Sequence, residues 1–214
     1  MKTVMTIFLT LLMAFNALAT AQYPDKLLYD GKEYGLHTNP MEQYFRAYPE
    51  KKPSDGVRSS ALWRGYVATF EIKTNTLILK DIEVMVWSEN CRLTSWKSVK
   101  DRIVTNGEDL VVDWFTGLLV LPYGETVKYV HMGYDSTYEN YIVLEVKAGS
   151  ITGERKFDYH QYKAFKEKQF NEYIKTEDYK KKFAELKNKG RDPDKIDKDL
   201  RRSIIMYTSE FLDE

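Results

Sequence analysis

From Gly65 onward the side chains alternate in character, with Tyr66, Ala68, Phe70 and Ile72 on one side of the chain and Val67, Thr69, Glu71 and Lys73 on the other. A period of two marks a half-buried strand, because successive side chains of an extended backbone point to opposite faces. The alternation breaks at Thr74-Asn75 and apolar residues resume from Ile78 to Trp87, which predicts a hairpin. A second hairpin is predicted in "KLLYDGKEYGL", where Asp30-Gly31 suits the positive φ angles of a two-residue type I′ turn. Leu118 to Leu121, Lys128 to His131 and Tyr141 to Lys147 read as further strands, and Gly149 with Ser150 turns into a last one at Ile151 to Phe157. Strands this closely spaced, with no long helices between them, favour antiparallel pairing over a parallel α/β sheet.

Two short helices are predicted within this region. Asn39 reads as an N-cap and Pro40 as the first helical position of a turn or two bearing Met41, Tyr44 and Phe45. Ser95 to Val104 places Val99 and Ile103 four apart and meets a stop at Asn106-Gly107.

Charge divides the chain. Glu154 to Glu214 carries 30 charged residues in 61, against 33 in 132 for Gln22 to Gly153. The signs are interleaved and apolar residues recur at helical spacing, so the last stretch reads as amphipathic helices with solvated outer faces. Tyr162, Phe165, Phe170 and Tyr173 fit the first. Thr176 caps a second with Tyr179, Phe183 and Leu186, stopped by Gly190, and Glu177-Lys181 and Asp178-Lys182 have the spacing of surface ion pairs. Asp192-Pro193 starts a third, with Ile196, Leu200, Ile204, Tyr207 and Phe211 in a narrow arc. The predicted fold class is α+β, an antiparallel β-meander or curved sheet followed by two to three C-terminal amphipathic helices. A β-rich body (22–153) carries a charged helical tail (154–214) packed on it as one domain.

The start of the chain reads as a leader. Lys2 precedes an apolar run from Val4 to Phe15, and Ala19-Thr20-Ala21 has the small-x-small form of a signal peptidase site, so residues 1–21 are expected to be removed on export. The apolar run is shorter than a bilayer-spanning helix requires, which predicts no membrane span after cleavage. An exported chain with Cys91 as its single cysteine has no internal disulfide and depends on packing; the residue reads as a small, half-buried side chain.

With 32 basic and 32 acidic side chains in 214 residues the chain has no cationic excess for gripping nucleic acid. It lacks a P-loop, a Gly-x-Gly-x-x-Gly fingerprint, a Gly-x-Ser-x-Gly elbow and any His or Cys array with metal spacing, so no cofactor or metal is expected. Asp192, Asp194, Asp197 and Asp199 miss the EF-hand pattern, since Ile196 and Asp197 stand where an oxygen ligand and glycine belong, and they suit a helix N-terminus instead. Two weak clusters remain. "LPYGETVKYVHMGYDSTYENY" offers His131 with Asp135 or Glu139 as a general acid/base pair, although histidine and tyrosine on a strand usually pack across it. "SSALWRGY" offers Trp63 and Arg64 as a groove for a glycan or peptide, with Trp114, Tyr123 and Tyr134 as further aromatic lining. Ordinary packing would instead bury Trp63 and leave Arg64 at the surface.

The blocks "LLYDGKEYGLHTNPMEQYF", "SSALWRGYVATFEI" and "LPYGETVKYVHMGYDSTYENYIVLEV" resemble those of an uncharacterised family of bacterial β-rich proteins. That resemblance implies a bacterial origin and brings no activity, ligand or site residue with it. The expectation from the residues is an exported binding module, periplasmic or secreted, for a protein, peptide or glycan. The alternatives are a hydrolase built on His131 and a structural or inhibitory protein that blocks a partner.

Overall fold

A computed structural model describes residues 21–88, 94–104, 108–131 and 133–212. The expected leader up to Thr20, Cys91 and Asn106-Gly107 lie outside them. Strands β1 (Asp25–Tyr29) and β2 (Lys32–Leu36) form the first hairpin, with Asp30 and Gly31 at φ 49° and 72°. Helix α1 (Met41–Ala47) follows, then β3 (Val67–Lys73) and β4 (Thr76–Trp87) pair through the Thr74-Asn75 turn, both of whose residues have positive φ. β5 (Thr94–Ser98) and β6 (Leu110–Val111) lie along the other edge of β4. β7 (Gly117–Lys128), β8 (Thr137–Lys147) and β9 (Ser150–Asp158) are long and antiparallel, and β9 meets β4 at Ser150 and Thr76. Three helices end the chain: α2 (Tyr159–Tyr173), α3 (Glu177–Asn188) and α4 (Pro193–Arg202).

The result is the expected α+β arrangement, an open nine-stranded sheet of order β2-β1-β3-β4-β9-β8-β7 with the helical part at the C-terminus. Among the named strands one pair makes the sheet mixed. β1 and β3 run parallel, because α1 and the loop after it form a crossover long enough to bring β3 back beside β1.

The sheet curls around one core. Leu27, Leu36, Phe70, Leu79, Leu119, Leu121, Ile142 and Leu144 form one buried cluster with Met41 and Phe45 of α1. β7 is buried on both faces over its first half. Leu119 and Leu121 face that core, while Leu118 and Val120 meet Tyr162 and Phe165 of α2 together with Tyr141 and Val143 of β8. The continuous apolar run "LLVL" is thus the mark of a strand covered twice. Phe170, Tyr173, Ile196, Leu200 and Ile204 make a third cluster among the tail helices. Fully burying side chains of this size contributes about 2 kcal/mol each.

Several local readings change. Ser95–Val104 is not a helix: Thr94 to Ser98 pairs with β4, and Val99 and Ile103 reach the core on either side of a single 3-10 turn at Lys100–Arg102. Lys128–His131 is not a separate strand, since β7 runs to Lys128 and the loop beyond closes when the Ser136 hydroxyl accepts from Val130 N–H. The surface pairs of α3 are set at a spacing of three, Glu177 with Lys180 and Asp178 with Lys181. Thr176 and Asp192 do cap their helices, but α4 ends at Arg202, before Tyr207 and Phe211. The chain there returns to the sheet, where Phe211 N–H donates to Glu145 Oε2 and Leu212 N–H to the buried Gln169. Among the described residues no helix is long and apolar enough to cross a membrane.

Candidate functional site

A tight turn from Leu62 to Gly65 sets the site. Gly65 N–H donates to Leu62 O, and Gly65 takes φ 83°, a conformation that disfavours any other residue. The two residues inside the turn therefore part company, and in the opposite sense to ordinary packing. Trp63 is 57% exposed, whereas Arg64 is 2% exposed.

Arg64 is held by four residues from three segments of chain. Its Nη2 donates to Tyr23 O at 2.9 Å and to Asp25 Oδ1 at 3.2 Å, while Nη1 donates to Asn39 Oδ1 and to the Tyr134 hydroxyl. The Tyr134 hydroxyl in turn donates to Asn39 Oδ1, and Asp25 Oδ1 also accepts from Ala68 N–H at 2.9 Å. Asn39 thus spends its side chain on this cluster and does not cap α1. The Tyr134 ring stacks on His37 at 4.6 Å, and Arg64 lies over the Tyr66 ring, whose hydroxyl donates to Glu42, itself paired with Lys52.

Burial governs the protonation of this cluster. It raises the Asp25 carboxyl from its ordinary 3.8 to about 6, against the opposing pull of Arg64 and the Ala68 N–H. Packing around His37 lowers its imidazole to about 4, so the ring is neutral near pH 7, and burial lifts the Tyr134 phenol to about 12. Asp25 Oδ2 and Arg64 Nε are buried without a hydrogen-bond partner. The cluster is an anchor: one guanidinium fixes the backbone of Tyr23, the start of β1, the entry to α1 and the loop before β8.

On the outer side of this anchor lies an aromatic surface. The register of β4 with β5 pairs Met85 with Trp96 and Trp87 with Thr94, and alternation along β4 puts all four side chains on one face. Trp87 is 57% and Trp96 40% exposed. The Tyr23 ring, itself 46% exposed, stands edge-on to Trp96 at 5.7 Å. Tyr23 N–H donates to Ala61 O and Gln22 Nε2 to Ser60 O, which ties this segment to the turn that presents Trp63. Three of the four tryptophans therefore face water, although a large apolar ring is normally among the most buried side chains.

The remaining sequence candidates are dispersed. Trp114 is half-buried against Tyr44 at 4.7 Å, and Tyr123 packs edge-on to Tyr34 at 6.1 Å. His131 is exposed and touches the Tyr129 hydroxyl through Nδ1 at 3.3 Å. Asp135 is paired with Arg202, and Glu139 accepts from Glu125 N–H at 3.0 Å. Among the described residues His131 makes no hydrogen bond to either carboxylate, and no three His, Cys, Asp or Glu side chains gather as a metal would need. Of the named candidates, Arg64 and Tyr134 come together; Trp63 lies just outside them.

No known protein family, curated protein or solved structure matches the chain.

Sequence reasoning missed Asp25 and Asn39 as partners of Arg64, His37 as the ring stacked on Tyr134, and Tyr23, Trp87 and Trp96 as a surface. For Trp96 a signal was present: Thr94, Trp96 and Ser98 alternate with Ser95 and Lys97, a strand pattern obscured by the four-residue spacing of Val99 and Ile103. Nothing in "QYPDKLLYD" separates a buried Asp25 from a surface acid.

Proposed function

We propose that this chain is an exported binding module that engages a protein, peptide or glycan through the surface made by Tyr23, Trp63, Trp87 and Trp96. The observation that carries the reading is the exposure of Trp87 and Trp96 on one face of the β4–β5 ladder with Tyr23 edge-on to Trp96, and of Trp63 on the turn tied to Tyr23, whose backbone a buried arginine fixes. Aromatic rings give large contact area for little lost side-chain freedom, and they are enriched where proteins recognise partners. Export rests on the leader-like start of the sequence.

The test is isothermal titration calorimetry with panels of soluble oligosaccharides and peptides, repeated on a variant carrying Trp63→Ala, Trp87→Ala and Trp96→Ala. The reading expects a saturable change that the variant loses while its fold, followed by circular dichroism, is kept. Equal binding by the variant would sink it, as would turnover of a substrate at His131 with no partner held on the aromatic face.

A further inference from the structure

The class of partner follows from the edge of β5, and the argument rests on the aromatic-surface reading above. β4 outruns its neighbour: its ladder with β3 ends at Glu83, opposite Val67, and from Glu83 to Trp87 it pairs with β5, while Val57 N–H donates to Met85 O. All five residues of β5 are exposed, and among the described residues no strand pairs with its far edge. In an antiparallel ladder alternate residues direct their N–H and C=O groups to the partner strand, and the others direct them away. β5 therefore presents unpaired backbone groups to water right beside the ring of Trp96.

We infer that β5 receives an extended segment of a partner polypeptide as an added strand, with apolar side chains toward Trp96 and acidic ones toward Lys97. A row of outward N–H and C=O groups at strand spacing is complementary to another backbone, and a glycan has no matching ladder. Alternation then fixes the side-chain pattern. The Trp96 face also carries Met85 and Trp87, with the Tyr23 ring against its edge, so every second peptide residue meets an aromatic surface. The opposite face carries Lys97, across from Val84. Arg102 donates two bonds to the Asp55 carboxyl at 2.6 and 2.7 Å and is the main cause that holds it at about 2, with Lys97 contributing least, so among the described residues Lys97 has no close ion pair of its own. A second copy of this chain fits less well: pairing β5 with itself would engage five residues a side, when a stable interface takes about 20–30 residues a side.

The experiment uses acetylated peptides in which glutamate alternates with leucine, tyrosine or phenylalanine, each made also with N-methyl groups on every second amide so that one edge cannot pair. Readouts are tryptophan emission and amide hydrogen exchange at Thr94 to Ser98. The inference expects at least one unmethylated peptide to bind and slow exchange across that strand, and its methylated partner to bind at least about tenfold more weakly. Equal binding by the methylated peptide, unchanged exchange at Thr94–Ser98, or no binding by any peptide overturns it. Should oligosaccharides bind instead and the triple tryptophan variant lose them, strand addition fails while the aromatic-surface reading stands. A concentration-dependent dimer that protects Thr94–Ser98 without peptide would also overturn it, assigning the edge to a second copy.

Discussion

Arg64 and Asp25, 39 residues apart in the chain, form an ion pair from which water is almost wholly excluded, with Nη2 3.2 Å from Oδ1. Neither charge can be hydrated, so each depends on the other and on the surrounding hydroxyl, amide and carbonyl groups. Removing the cation alone strands a buried carboxylate. Arg64→Ala should therefore cost about 3–5 kcal/mol in urea unfolding. Asp25→Asn keeps an acceptor for Ala68 N–H but leaves the buried guanidinium without its counter-charge, so it should destabilise as well, and the double variant should cost less than the two single losses added together. Additive losses would contradict the pairing.

The same cluster makes a prediction about pH. The Asp25 carboxyl is raised from 3.8 to about 6, so the folded state holds its proton more tightly, and this contribution is full below 3.8 and lost as pH rises through 6. His37 runs the other way: it is lowered from 6.5 to about 4, so stability is lost as pH falls through that window. The two effects oppose each other between about pH 4 and 6. His37→Phe removes one of them and should become more stable relative to the parent at about pH 5 than at about pH 8. Unfolding curves at the two pH values decide it; an identical difference at both would show that His37 does not resist protonation in the folded protein.

Tryptophans on the aromatic surface should matter little for folding. Trp63→Ala and Trp87→Ala each remove a ring that is 57% exposed and should change stability by no more than about 1 kcal/mol. Trp114→Ala removes a half-buried ring packed on Tyr44 and should cost roughly 2 kcal/mol or more. Thermal unfolding of the three variants checks the ordering. A Trp63 variant as unstable as the Trp114 one would place Trp63 in the core.

Two turn glycines should respond differently to the same change. Gly31 has φ 72° and open space where a Cβ would stand, so Gly31→Ala should cost about 1–2 kcal/mol for the left-handed backbone alone. Gly149 has φ 76°, and a Cβ there would lie 2.8 Å from Val112 O. Its own carbonyl accepts from Leu77 N–H and its N–H donates to Phe115 O, so the backbone is fixed from both sides. Gly149→Ala should lower the melting temperature clearly more than Gly31→Ala; equal shifts would mean the turn gives way.

What the sequence determined by itself is what a few neighbouring residues can decide. Asp30-Gly31 makes its turn, Thr176 and Asp192 cap their helices, and the alternation from Gly65 to Lys73 makes a strand, because each depends on backbone angles and hydrogen bonds within a few residues. The α+β class follows from the order of those signals along the chain. The tertiary structure decided which side of the Leu62–Gly65 turn faces inward. Trp63 would ordinarily be buried and Arg64 exposed, and the order is reversed because Tyr23 with Asp25, Asn39 and Tyr134 converge from three separate segments to satisfy the guanidinium. The same holds for Trp96, which stands on β5 at the outer edge of β4, and for Phe211, which leaves the arc of α4 to pack on Phe165. Burial is a property of what meets a side chain, and for these residues the partners stand tens of residues away.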